Sequence, residues 1–475
     1  MTKRRRIWRV AIWLGGIVAV LLLALGGLYF EFTARFNPDP PNATYPKPTN
    51  ALEAQRQDLD YYRRMMALDG AFSLAARAEA ERRLDAFAAS HVALDRGHFR
   101  VALLRITALA DNGHTSLFSK KPIRPLMLPI RFSDFSDGLY VMRVRKENAD
   151  LLGARILKID GRPVEEALTK LEGLRGGTKA FRRGYALIAL YSSEILYGAD
   201  IAGAPDRSTW TFVTRDGRTV ERTFRGYQAA YEEPQPDLWR WMSPAPIKGD
   251  KDQWVAFAPP GLKLPLTLQD ADRTFRRIRL RDICSMLIQL KANEDTNGDS
   301  IGDFLKATEA DLIADKPCTI IFDNRWNGGG DYTNTAGFAG RLHEMVRASG
   351  HIYILTSPDT FSAGITTTVF VKQAAAPGQI TILGEPVGDR LTFWAEGNRG
   401  CLPNAPFCFH YAAGKHDYAH RCTDWRSCYW VNWVYPARTD TLKPDERITE
   451  SFADYLAGRD PVFERALALA KAQSR

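Results

Sequence analysis

An uncharged segment of 21 residues near the N-terminus, Val10–Phe30, constrains the topology of this chain more than any other feature. About 20 apolar residues span a bilayer as one helix. The run from Thr2 to Arg6 is basic, and basic flanks stay cytoplasmic. We therefore expect residues 1–36 to form a cytoplasmic tip and a single-pass membrane anchor, with the remaining chain on the non-cytoplasmic (periplasmic or extracellular) side. A cleaved signal peptide, with Ala24-Leu25-Gly26 as a poor cleavage site, is the alternative.

The rest of the chain has ordinary globular composition. Of 475 residues, 45% are hydrophobic and 25% are charged, which suits two to four structural units and excludes a disordered or collagen-like chain. The net charge is +9, but residues 1–30 hold five basic side chains and no acidic one, which leaves +4 on the remainder. A surplus this small and dispersed predicts no nucleic-acid partner.

Composition and periodicity divide the chain into four further segments. The proline-rich residues 37–50 predict an extended linker. Residues 51–125 show helical periodicity, and residues 126–232 are mixed, with a hairpin expected over 209–224. Residues 233–475 alternate strand-like and helical runs, which predicts parallel strand pairing in an α/β domain.

The clearest of those runs lie in the second half. Strands are expected at 318–323, 351–355 and 380–383, and helices near 335–349 and 363–375. Each helix separates two strands, as a layered α/β fold requires.

The six cysteines favour disulfides if the chain is exported. Cys284 and Cys318 stand apart, and four more lie within 28 residues, so the pairing stays open. A zinc site of the clustered thiols with His410, His416 or His420 is the alternative, although the spacing matches no common zinc pattern.

An acidic segment resembles a calcium loop only in part. Asp295, Asn297, Asp299 and Asp303 place oxygen atoms at alternate positions, but the sixth and twelfth positions of an EF-hand are not met. We interpret the segment as an acidic surface loop, with calcium as the alternative. We expect no metal and no organic cofactor to be required.

Ser362 is the first candidate for chemistry. It lies between a loop and a predicted helix, where free N–H groups and the positive end of the helix dipole collect. A serine there can present its hydroxyl to a carbonyl while the N–H of Ala363 faces the developing oxyanion. Gly328, Gly329 and Gly330 follow a predicted strand and can supply further backbone donors. A helix N-cap and a plain tight turn are the structural alternatives.

Six motifs in order carry a family resemblance: ADNGHTSL (110–117), LLGARILKIDGRPVEEAL (151–168), IIFDNRWNGGG, TFSAG, ILGEPVG, and PDERITESFADYLAGRDPVFERAL (444–467). Together they resemble the S41 serine peptidases, the tail-specific or C-terminal-processing proteases, over roughly residues 100–470. The resemblance implies an α/β catalytic core of the ClpP/crotonase type, a helical N-terminal unit and a degenerate PDZ-like segment.

Carried onto this chain, the resemblance implies Ser362 as nucleophile, with Ala363 and Gly328–Gly330 as oxyanion donors. Well-known members use a lysine base, but Arg390 stands at or near that position, and arginine stays protonated. The branch that resembles the tricorn core uses histidine, and His114 in Asn-Gly-His-Thr supplies one. Glu396 is the first choice for the acid that orients His114.

Two other acids, Asp389 and Glu385, remain open for that orienting role. The predicted function is a membrane-anchored serine peptidase that cleaves peptide or protein substrates through an acyl-enzyme. A catalytically inactive protein of the same fold that binds a ligand or peptide is the alternative, and a hydrolase of esters or cell-envelope peptides would share the site. A His114 Nε2 within hydrogen-bond reach of Ser362 Oγ would favour the enzyme.

Overall fold

A single long helix opens the fold, and a helical unit follows it. The structure, a computed structural model, describes residues 3–229, 238–247, 253–296 and 298–473. Helix α1 (Lys3–Phe36) contains a stretch, Ile12–Phe36, that is long and apolar enough to cross a membrane, with a mean hydropathy of 2.2. The next helices are α2 (Ala51–Met66), α3 (Leu74–Ala88) and α4 (Arg96–Thr107). Their helical character agrees with the periodicity, and each begins at an Asn, Ser or Asp side chain that accepts a backbone N–H.

The described residues between 116 and 256 combine antiparallel strands with short helices. The elements are β1 (Ser116–Ser119), β2 (Leu126–Met127), β3 (Ile130–Phe135), β4 (Gly138–Arg145), β5 (Arg155–Ile159), β6 (Arg162–Pro163), α5 (Val164–Glu172), α6 (Lys179–Ala189), α7 (Ser193–Gly198), β7 (Arg207–Val213), β8 (Thr219–Arg225), β9 (Tyr227–Gln228) and β10 (Trp254–Ala256). Strands β3 to β8 and β10 form one seven-stranded sheet, and the predicted hairpin is β7–β8. The boundary expected at 232 lies outside the described residues, and β10 beyond it pairs with β4. The PDZ-like character of this segment stays a prediction.

The second half alternates strands and helices. Its elements are β11 (Phe275–Leu280), β12 (Ser285–Leu290), α8 (Ile301–Asp315), β13 (Thr319–Asp323), α9 (Thr333–Arg341), β14 (His351–Thr356), α10 (Ala363–Ala374), β15 (Ile380–Gly384), β16 (Thr392–Ala395), β17 (Asn398–Cys401), β18 (Phe407–Tyr411), β19 (Gly414–Asp417), α11 (Val431–Val434), β20 (Glu446–Arg447), α12 (Phe452–Leu456) and α13 (Pro461–Gln473). The three predicted strands correspond to β13, β14 and β15.

The core of this half is a six-stranded sheet in the order β11-β12-β13-β14-β15-β20. Strands β12 to β15 and β20 pair in parallel, and β11 is antiparallel at one edge. The central strands are mainly apolar because helices cover both faces, as in other parallel sheets. The α/β prediction is confirmed. Helix α9 ends eight residues earlier than expected, because the chain tightens into a 3-10 turn at Leu342–Glu344.

Long-range pairing connects the N-terminal and C-terminal parts of the chain. Strand β1 pairs with β18, which also pairs with β17, so the segment after His114 joins a sheet made of residues 398–411. This pairing fixes the loop 111–115 against the C-terminal half.

All six cysteines form disulfides: Cys284–Cys318, Cys401–Cys408 and Cys422–Cys428. The zinc alternative is therefore wrong, because the clustered thiols are consumed. In the acidic loop, Asp295 Oδ1 accepts the Ile301 N–H at 2.9 Å and so serves the start of α8. Asn297 lies outside the described residues, and within those ranges no group of three or more His, Cys, Asp or Glu side chains could hold a metal ion.

Candidate active site

The candidate nucleophile lies where the carboxyl ends of the parallel strands meet. Ser362 directly precedes α10 and has a φ of 51° and a ψ of −124°. A non-glycine residue in this region costs about 1–3 kcal/mol, so the surrounding contacts must hold it there. The Phe361 N–H donates to the Asn327 carbonyl at 2.9 Å, and the Thr360 hydroxyl donates to the Asn324 carbonyl at 2.8 Å. The turn after β13 therefore fixes the loop that carries Ser362.

Three fully buried asparagines lie under this loop. Asn327 Nδ2 donates to Asn293 Oδ1 at 2.7 Å and to Asn324 Oδ1 at 2.9 Å. Asn293 and Asn324 in turn donate to the Thr367 and Thr368 hydroxyls on α10, at 2.6 and 2.9 Å. Because buried amides need partners, this network ties the ends of two strands to the first turns of α10.

The glycine turn lies against the serine. A Cβ on Gly329 would come within 2.7 Å of Ser362 Cβ, and the φ of Gly329 is +114°. Only glycine permits this approach. The Gly329 N–H already donates to Asn327 Oδ1 at 3.1 Å. The oxyanion role stays a prediction for the backbone N–H groups of Gly328, Gly329, Gly330 and Ala363. Because the Gly329 N–H is already used, the clearer role of Gly329 is to leave room for the Ser362 side chain.

His114 reaches the serine from the other side. Its Nε2 lies 3.0 Å from Ser362 Oγ, although 248 residues separate the two in sequence. The imidazole lies between the Phe361 and Phe393 rings, with centroid distances of 4.5 and 5.4 Å and nearly parallel planes. Arg175 Nη2 donates to the Gly113 carbonyl at 2.6 Å and so holds the loop. The structure thus brings the two predicted residues within hydrogen-bond distance.

The acid nearest to His114 is Asp389. Its Oδ2 lies 3.9 Å from His114 Nδ1, and its side chain is 1% exposed. Neither of these two atoms has a hydrogen-bond partner among the residues that the structure describes. Two complementary buried groups face each other here, slightly beyond hydrogen-bond distance.

The other candidate acids lie elsewhere. Glu396 Oε1 is 3.4 Å from His416 Nε2, and Glu385 Oε1 is 3.7 Å from Arg447 Nη2. The sequence analysis favours Glu396 for orienting His114, but the backbone between β16 and β17 directs this side chain to His416. The orienting role therefore passes to Asp389 as a proposal.

Arg390, which the resemblance places at or near the position of a lysine base, contacts Asp111. Its Nη1 and Nη2 donate to the carbonyl and Oδ2 of Asp111, at 2.9 and 2.8 Å. It therefore clamps the start of the loop that carries His114.

Burial shapes the protonation of the pair. It lowers the pKa of His114 well below the ordinary 6.5, and the neighbouring His416 lowers it further. Burial also raises the pKa of Asp389 to about 6. At neutral pH the imidazole is therefore uncharged and can accept a proton.

The solved structures share this architecture. Mature CPAF complexed with lactacystin matches over 89% of this chain and 98% of its own, with 13% identity and a TM-score of 0.54. A CPAF mutant matches over 89% and 97%, with 14% identity and a TM-score of 0.55. The chain therefore shares the fold of the CPAF structures. The photosystem II D1 C-terminal processing protease also matches, over 83% of this chain and 93% of its own. Its identity is 10% and its TM-score is 0.37, so this similarity is weaker than that to the CPAF structures. No protein-family model and no curated protein matches the chain.

Several residues around the candidate active site were not predicted from the sequence. Asn324 and Asn327 were visible in the motif before the glycines, but Asn293 and the threonines of α10 carry no local signal. Phe361 and Phe393 enclose His114 only through tertiary contact, and so does Arg175.

Proposed function

We propose that this protein is a membrane-anchored serine peptidase that hydrolyses peptide bonds through an acyl-enzyme. The observation that carries the proposal is the 3.0 Å distance between His114 Nε2 and Ser362 Oγ in an S41-type fold. A binding protein needs no such pair, so the same observation favours an enzyme over the inactive alternative.

The proposed reaction has two halves. The Ser362 oxygen attacks the substrate carbonyl while its proton passes to neutral His114 Nε2. Backbone N–H groups near Ala363 and the glycine turn hold the oxyanion. His114 then gives its proton to the leaving amine, and the acyl-enzyme forms. A water molecule attacks the acyl carbon after losing its proton to His114, which returns it to Ser362 Oγ as the acid product leaves.

Asp389 is proposed to orient His114 through Nδ1. A shift of about 1 Å would bring its Oδ2 from 3.9 Å to hydrogen-bond distance. Carboxylates in this position stabilise the imidazolium that forms during the reaction.

A cavity of about 450 Å³ borders the serine loop at Ser357–Asp359 and extends to α6. We assign it to part of the substrate.

The anchor is supported by α1 and by the cysteines. Three disulfides suit an oxidising, non-cytoplasmic compartment. Phe36, at the end of α1, is 2% exposed in the body, so the helix end is part of the folded protein. If α1 is retained as an anchor, we expect mass spectrometry of the purified protein to find peptides from the residues before Ala24. We also expect that alkaline carbonate does not extract the protein from membranes.

The test of activity uses the full chain in detergent micelles or nanodiscs. Wild type, Ser362→Ala and His114→Ala are incubated with an unfolded protein and a peptide library, and the products are read by mass spectrometry. We expect cleavage by wild type alone. A fluorophosphonate probe is expected to label wild type at Ser362, and lactacystin, the compound bound in the CPAF structure, is expected to block that labelling. Labelling and cleavage that survive in Ser362→Ala would assign the chemistry to another residue.

A further inference from the structure

Exposed apolar rings gather on one side of the C-terminal half, around the Cys422–Cys428 disulfide. Trp425 is 51% exposed, Trp433 is 48% exposed and Val434 is 71% exposed. Trp430 stacks on Trp433 with a centroid distance of 6.2 Å. We call Trp425, Trp430, Trp433 and Val434 the tryptophan collar. Large exposed apolar clusters of this kind mark contact surfaces.

The collar lies beside the point where α1 enters the body. The Phe36 ring lies 5.5 Å from Trp430, and the Phe32 ring lies 5.9 Å from it. The Arg35 guanidinium lies 4.7 Å from the Trp425 ring centroid and donates to the Arg426 carbonyl at 3.0 Å. The last two turns of α1 and the collar therefore form one continuous surface.

The collar lies at the depth of lipid headgroups if α1 spans the bilayer. The exposed apolar part of α1 ends at Phe30, which is 72% exposed, and Glu31 follows. Phe36 is six residues further along, about 9 Å at 1.5 Å per residue. The headgroup region on each side of a bilayer is of the same order, roughly 5–8 Å. Tryptophan is the residue that concentrates at this level.

The indole groups suit that environment. Trp430 Nε1 donates to the Trp425 carbonyl at 2.8 Å, and Trp433 Nε1 donates to the Cys422 carbonyl at 3.0 Å. Their N–H groups are therefore satisfied within the protein, and the ring faces can contact lipid without loss of a hydrogen bond. Exposed Arg426 beside them supplies a positive charge for lipid phosphates.

A column of packed rings connects this surface to the candidate active site. The Phe36 ring is 5.4 Å from Tyr429, which is 5.6 Å from His416. His416 is 4.9 Å from Phe393, and Phe393 is 5.4 Å from His114. Four ring contacts thus separate the end of the membrane helix from the proposed catalytic base. Such a short packed connection fixes the height of the site above the bilayer.

We infer that the collar rests in the headgroup layer of the bilayer and holds the active site beside the membrane, so that the substrates are polypeptide segments close to the membrane surface. The inference rests on the proposed function for both the anchor and the hydrolysis. It adds a second membrane contact beyond α1 and a substrate class.

The depth of the collar can be measured in the full chain reconstituted in nanodiscs of phosphatidylethanolamine and phosphatidylglycerol. Because all native cysteines are in disulfides, one introduced thiol can be spin-labelled selectively. Val434→Cys reports on the collar, and Val92→Cys, at a valine that is 74% exposed in the loop between α3 and α4, is the matched control. Leu22→Cys reports on α1.

We expect the label at 434 to collide with oxygen more than with a water-soluble nickel complex, and the label at 92 to show the reverse. A deep label at 22 with equal water exposure at 434 and 92 would refute the collar contact and leave the anchor intact. A water-exposed label at 22 would refute the anchor itself.

The substrate class is tested with one peptide in two forms, free and attached to a lipid in the same nanodiscs. We expect at least about a tenfold higher kcat/KM for the tethered form, because both partners share one surface. Trp425→Ser with Trp433→Ser is expected to reduce this ratio and to leave cleavage of the free peptide unchanged. Equal rates for both forms would overturn the inference, whereas no Ser362-dependent cleavage of either form would overturn the proposed function.

Discussion

The two sides of the candidate active site differ in chemistry. Ser362 sits above a buried polar network in which Asn293, Asn324 and Asn327 find partners. His114 lies between two phenyl rings, and its Nδ1 has no hydrogen-bond partner among the described residues. A network of satisfied hydrogen bonds fixes geometry, whereas aromatic faces position a ring without fixing its rotation. The candidate nucleophile is thus held rigidly, and the proposed base keeps freedom to adjust toward Asp389.

The largest expected effect comes from removing the acid on the histidine side. We expect Asp389→Asn to lower kcat/KM by roughly 10³- to 10⁴-fold, because an amide cannot stabilise the imidazolium. Glu396→Gln is the matched control and is expected to change kcat/KM only a few-fold, since Glu396 faces His416. Steady-state kinetics on a fluorogenic peptide measures both. The reverse ranking would return the orienting role to Glu396.

The next effect comes from the serine side. We expect Gly329→Ala to reduce kcat by about 10²- to 10³-fold, the loss typical of a damaged oxyanion hole, because the new Cβ would displace Ser362. Gly337→Ala on α9 has open space around the new methyl group and is expected to retain full activity. Full activity in Gly329→Ala would show that the close approach of Gly329 to Ser362 is not required for activity.

A smaller effect is expected on stability from the amide network. Asn327→Ala leaves buried polar groups on Asn293, Asn324 and Gly329 without a partner, so we expect a loss of about 2–4 kcal/mol in the free energy of unfolding. Asn334→Ala removes one hydrogen bond from an exposed side chain and is expected to cost less than about 1 kcal/mol. Urea denaturation of both variants, at matched m-values, gives the comparison.

The smallest expected effect is on pH dependence. The pKa of His114 is lowered by burial, so the neutral, reactive form persists to lower pH, and the acid limb of kcat/KM is expected below pH ~6.5. Phe393→Leu, which admits water beside the imidazole, is expected to move the limb upward by less than about one pH unit. A limb that does not move would mean that Phe393 does not control the titration.

The sequence predicted the parts of the fold that depend on local pattern. Strands β13 to β15, helix α10 and the hairpin β7–β8 follow from runs of apolar residues and turn signals. Ser362 and His114 were predicted through motifs, and the structure brings them together. The choice between Asp389 and Glu396 depends on how the backbone turns around β16, and short-range pattern does not encode that. The ring column and Asn293 are likewise tertiary features.

The pairing of β1 with β18 has a consequence for biosynthesis. Residues Ser116–Ser119 can complete their sheet only after residues Phe407–Tyr411 have been synthesised, almost 300 positions later. A nascent chain therefore carries the loop of His114 without its partner strand, and His114 and Ser362 are not yet brought together. Non-local pairing of this kind also folds slowly. The candidate active site is therefore assembled only when nearly the whole chain has emerged, so the topology itself sets a lower limit on when the proposed activity can begin.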